Sequence, residues 1–294
     1  MTFPPGALLS SLTARLVVSS ESMMSQVQRI QSLIALLAAG IGIIFFVDPV
    51  PQDLAYHNFA DTRGWLGIPN FGDVASNAGF LVVGVIALVT LMHRREELFR
   101  TPAEMRPYLL FFVGVTLVGF GSGYYHWAPS NASLLWDRLP MSIAFMAISA
   151  AVVADRISAP AGNGWVLAVL LVLGLASLFY WDWTESSGRG DLRFYGLVQF
   201  YPMLALPVII WTFHDHHYTI GRYLGQVIAW YGLSKVLEYF DRGIFELTGN
   251  LVSGHSLKHL AAAVATYMVL RMLMVASAQS APASHADRAQ TKTS

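Results

Sequence analysis

Long apolar stretches broken by short polar segments set the pattern of this chain. Eight of them approach the length needed to cross a bilayer, about 20 residues at the rise of an α-helix. They fall near residues 30–47, 74–92, 108–125, 134–153, 165–180, 194–212, 224–239 and 255–274. Lys235 and Glu238 interrupt the seventh. The pattern predicts an all-α, polytopic membrane bundle with no separate soluble domain. Residues 1–29 hold a short apolar stretch that Arg15 interrupts. Its cleavage pattern is poor for a signal peptide, so a flexible or interfacial segment is expected there. The membrane domain then covers residues 30–275, and the Ala-, Ser-, Gln- and Thr-rich tail, 276–294, is expected to be disordered and cytoplasmic.

Composition agrees with that reading and narrows the chemistry. Of 294 residues, 55% are hydrophobic and 12% charged, where a soluble domain carries about a quarter charged. The net charge is zero, so no basic field invites nucleic acid. With no cysteine, a disulfide framework, a thiolate metal site and a cysteine nucleophile are all excluded. Any metal must be held by His, Asp, Glu or neutral oxygens.

Arginine placement orients the spans. The loop after the second reads HRREELFRTPAEMR, and Arg156, Arg222, Arg15, Arg29, Arg271, Arg288 and Lys292 fall on the same side. By the positive-inside rule that side is cytoplasmic, with both termini. Acids such as Asp48, Asp53, Asp182 and Glu246 lie opposite, although Arg63, Arg138, Arg189, Arg193 and Arg242 lie there too.

This orientation brings four ionisable groups to one outer depth: His126 ends the third span, Asp137 starts the fourth, and His255 and His259 start the eighth. His255 and His259 have i, i+4 spacing, which lets two imidazoles reach one zinc. His126 is the candidate third ligand, completing an open tri-histidine site. Asp137 fits as a general base toward water or as an orienting partner. Ser122, one turn before His126, could stabilise an oxyanion or bond a ligand. Ionisable groups in a membrane segment are functional candidates by default. The HDHH run, His214, His216 and His217 with Asp215, reads instead as a solvated turn, because adjacent residues do not share a helix face. Lys235 and Glu238, at i, i+3, read as mutually neutralising.

The ordered set Ser122-x-x-x-His126, Asp137 and His255-x-x-x-His259 resembles the CREST superfamily of membrane hydrolases, and the flanking text is closest to its alkaline ceramidase branch. PNFGDVASNAGFLVVG is similar to the opening helix of that branch, and GFGSGYYHWAPSNASLLWDRLPMSIAF to its second motif. The resemblance spans roughly residues 61–274. It implies a seven-helix core, so the first span here is an extra one. It further implies zinc on His126, His255 and His259, catalytic roles for Asp137 and Ser122, and hydrolysis of a ceramide-like amide to fatty acid and sphingoid base. Calcium binds eukaryotic members through acids before the first core helix. The matching oxygens here are Asp61, Asn70 and Asp73, with Asn70 where the family has glutamate.

Two rival functions remain open on sequence alone. A receptor-like member of the same fold would keep the zinc set and sense a lipid with little turnover. A transporter or proton relay would use the intramembrane His, Asp and Lys–Glu groups, although such sites sit at the bilayer midplane rather than at one face. Oligomeric state is not legible in the sequence.

Overall fold

The computed structural model describes the backbone of residues 5–280 and the side chains of residues 26–279. Among the described residues twelve α-helices follow in order, with a 3-10 turn (Leu54–His57) after the first: α1 (Pro5–Phe46), α2 (Phe71–Ser76), α3 (Ala78–His93), α4 (Arg95–Leu98), α5 (Pro102–Trp127), α6 (Asn131–Arg156), α7 (Ala159–Gly162), α8 (Trp165–Ser186), α9 (Arg193–Thr212), α10 (Gly221–Tyr239), α11 (Asp241–Leu247) and α12 (Gly254–Ser280). Among the described residues there is no strand, only an isolated bridge between Trp65 and Ile68. The fold is the expected all-α polytopic bundle.

The chain forms two units, Met1–Asp48 and Pro49–Ser294. The first is α1, whose stretch Gln26–Phe46 is long and apolar enough to cross a membrane. The helix runs back through residues 5–29, the segment expected to be flexible or interfacial. In the second unit α12 continues to Ser280, and the rest of the expected tail lies outside the described residues. All eight expected spans are helical. Seven qualify as membrane spans by length and composition. The exception is α10, which has nineteen residues but carries Arg222, Lys235 and Glu238.

Two local features shape the end of the second unit at which α5 stops and α6 and α12 begin. The first membrane helix of the core breaks at Asn77, between α2 and α3. There the carbonyl of Asp73 accepts from the Asn77 side-chain amide at 2.8 Å and the Ser76 hydroxyl at 3.0 Å. Side-chain donors thus replace the backbone donor of a continuous helix. The second feature is the α5–α6 hairpin. Pro140 has no N–H, so the carbonyl of Trp136 loses its helical donor. A Cβ at Gly121 would collide with that carbonyl oxygen, and one at Gly114 would meet the Pro140 oxygen and the Ala144 nitrogen at 3.0 Å. The two helices therefore touch backbone to backbone, about two turns apart along α5. Ser130 caps α6 by accepting the Ser133 N–H at 3.2 Å, while Ser133 Oγ accepts the Ser130 N–H at 3.0 Å. This tight hairpin sets His126 and Asp137 at one level. Phe59, Tyr125, Leu134, Leu178, Trp181 and Tyr195 pack as a core cluster near that level.

Candidate active site

His126, in the last turn of α5, meets His255 and His259 from the first turns of α12. All three are buried, and one ligand nitrogen from each lies within 4.8 Å of the others. The Nε2 atoms of His126 and His255 are 3.2 Å apart. Two nitrogens bound to a tetrahedral zinc at 2.0–2.1 Å sit about 3.3 Å apart, so the pair fits that metal. A hydrogen bond could satisfy this pair alone, but His259 Nε2 is buried with no partner. An orphaned acceptor facing two other imidazoles is the arrangement a cation resolves.

His259 is held through its ring, and His255 and His126 through their backbones, while His126 Nδ1 is buried without a partner. Ser76, placed by the break before α3, bonds His259 Nδ1 at 2.8 Å and leaves Nε2 free to ligate. Asp241 accepts the backbone N–H of His255 at 2.8 Å and that of Ala60 at 2.9 Å, joining the start of α12 to the loop over the site. Asn70 donates to the His126 carbonyl at 2.8 Å. The Phe59 ring lies 4.6 Å from His126 and 4.5 Å from His255, excluding water on that side.

His259 also lines a chamber of about 470 Å³, together with Asp137 and Ser122. Asp137 and Ser122 are both buried, and both line the chamber. The chamber is polar at one end and apolar in depth. Ser122, Asp137, Lys258 and Glu238 lie within two turns of the ends of their helices, while Phe111, Val115, Phe145 and Ala265 line it further in. Between Ser122 and Phe111, α5 runs about 16 Å at the helical rise.

The three expected calcium residues differ in how far their oxygens are engaged. Asp61 forms a bidentate pair with Arg63, at 2.8 and 2.7 Å, and that guanidinium holds its carboxyl below the usual range. Asp73 Oδ1 accepts from Ser253 at 2.9 Å and Ser256 at 2.7 Å, while Oδ2 is buried without a partner. The Asn70 amide faces His126. Among the described residues the three histidines are the only set of three or more His, Asp or Glu that could hold a metal. In the HDHH loop, His216 Nδ1 bonds the His214 carbonyl at 2.6 Å. Lys235 and Glu238 pair as expected at 2.7 Å, but Lys258 joins them at 2.6 Å. Sequence alone singles out neither Ser76 nor Asp241. Lys258 stood inside the GHSLKH motif, where its i, i+3 offset from His255 gave no hint of a partner on α10.

Comparison with protein families finds that the model described as Ceramidase matches residues 68–291. No curated protein matches the chain.

Proposed function

The chain belongs to the Ceramidase family, and on that premise we propose that it is a zinc-dependent hydrolase of a ceramide-like amide, releasing a fatty acid and a sphingoid-base-like amine. Membership and the helical bundle make it a membrane ceramidase-like hydrolase acting on a lipid. The observation that carries the finer reading is the unpartnered His259 Nε2, facing His126 and His255 at the polar end of an apolar chamber.

His126, His255 and His259 would hold the metal, and zinc there supplies Lewis acidity and an acidified water near neutral pH. The apolar depth takes the acyl chain, which leaves the amide beside Asp137 and Ser122. Asp137 accepts a proton as water adds to the carbonyl carbon and returns it to the leaving nitrogen when the C–N bond breaks. Ser122, buried in the same chamber wall, supplies a hydroxyl to orient the substrate amide beside Asp137. Burial makes these contacts stronger than in water.

The test pairs metal analysis with turnover of a fluorescent ceramide by the purified protein. The parent should carry about one zinc per chain, and His259→Ala should lose it. Asp137→Asn should keep zinc and fold but lose about 10²–10⁴-fold in rate, the usual contribution of a general base. Parental turnover by a zinc-loaded Asp137→Asn would remove Asp137 from the mechanism. Stoichiometric ceramide binding without turnover by the parent would favour the lipid-sensing alternative.

A further inference from the structure

The residue after Asp137 is a buried arginine without an anion. Arg138 lines the same chamber and is 7% exposed. Its Nη2 donates to Gln52 Oε1 at 2.7 Å, but Nη1 is buried with no hydrogen-bond partner. Rings take the place of a counter-ion: the guanidinium carbon lies 4.6 Å from the Trp181 centroid, 4.9 Å from Tyr195 and 5.7 Å from Tyr56. Neighbouring residues on a helix do not face one another, and Asp137 forms no ion pair with Arg138 within 4.0 Å. The other cations lining the chamber are matched differently: Lys235 and Lys258 share the two oxygens of Glu238. Among the described residues lining the chamber, Arg138, Lys235 and Lys258 outnumber Asp137 and Glu238.

A buried guanidinium with an idle N–H is expensive unless something completes it. The aromatic cage favours the cation and fixes its plane, and a fixed fork is suited to an oxygen anion. We propose that Arg138 is an anion-recognition residue that binds the carboxylate of a lipid whose chain occupies this chamber. It deepens the reading above by naming a chemical class that the chamber prefers, and it depends on that reading only for the lipid. The carboxylate has two sources: the fatty acid released by hydrolysis, or an acidic head group on the amine side of the substrate.

The test is equilibrium binding to the full-length protein in detergent, with turnover not required. Two pairs of probes differ in charge at matched chain length: palmitate against palmitamide, and N-palmitoylglycine against N-palmitoylethanolamine. The parent should prefer the anion in at least one pair by about tenfold or more, the worth of a hydrogen bond to a charged group. Preference in the first pair alone assigns the product carboxylate; preference in the second assigns an acidic head group. Arg138→Gln should remove the preference while leaving palmitamide or N-palmitoylethanolamine affinity unchanged, a separation that a purely structural arginine would not give. Any metal is common to both proteins, so the difference isolates Arg138. Should Arg138→Gln fail to fold, Arg138→Lys decides, since an ammonium cannot form the planar fork and the ratio should fall. Equal affinities within both pairs in the parent, or a full preference kept by Arg138→Gln or Arg138→Lys, would overturn the proposal. Anion preference through Arg138 in a protein that cleaves no amide would sink the hydrolase reading and leave this one standing.

Discussion

At the scale of single residues, the site depends on side chains that never touch a substrate. Ser76 fixes the ring of His259 by bonding Nδ1, and such partners orient ligands and raise their basicity. Ser76→Ala should therefore weaken zinc binding by about 10–100-fold, with all three histidines intact. Chelator competition on the purified protein reads this directly, and an unchanged zinc affinity would show that the hydroxyl is incidental. The histidines themselves were legible because the i, i+4 pair and the end of the third span announce a common face and depth. Their supports were not. Ser76 and His259 are 183 positions apart, and Asp241 and His255 are 14 apart across a helix boundary. No local periodicity encodes contacts made only when α2, α11 and α12 come together.

At the scale of elements, GSGYYHW holds two glycines with opposite roles. Gly121 faces the Trp136 carbonyl on α6, whereas a Cβ at Gly123 would meet nothing within 4 Å. Adding a methyl at Gly121 forces α5 from α6, and overpacking of this kind costs about 1–3 kcal/mol. Adding it at Gly123 should be neutral or stabilising by up to about 1 kcal/mol, since alanine is the better helix former. Thermal unfolding in detergent should separate Gly121→Ala from Gly123→Ala by several degrees, and only Gly121→Ala should also weaken zinc binding, because the hairpin carries His126. Equal stability of the two variants would refute the backbone contact. The sequence predicts both helices and their short connection, but not which glycine is in the seam, because that is fixed by the carbonyl Pro140 leaves free on the opposite helix. The same limit applies to α10. Its charges look like an interruption in one dimension, and become a Lys235–Glu238–Lys258 cluster only once α12 packs beside it.

At the scale of the whole molecule, the chamber has a direction. Its polar end coincides with the start of α6 and α12 and the end of α5 and α10, and its apolar end lies toward the opposite membrane face. A lipid drawn in from a bilayer would thus keep its head near one surface and its chain in the hydrocarbon layer. Which surface this is follows from charge rather than from packing. Arg94, Arg95, Arg100 and Arg106 crowd the short connection between α3 and the first turns of α5, at the end away from the histidines. Arginine in short loops is retained on the cytoplasmic side, so the histidines and Asp137 should open toward the periplasm or lumen. A cysteine is the natural reporter, because the chain has none of its own. One introduced at Arg95, exposed at the start of α4, should react with a membrane-impermeant maleimide only after the membrane is permeabilised. One introduced at Leu247, exposed at the end of α11, should react in intact cells or sealed right-side-out vesicles. The opposite pattern would turn the whole bundle over and place substrate capture and product release at the cytoplasmic leaflet. It would leave the geometry of the three histidines untouched, because orientation and site assembly rest on different residues.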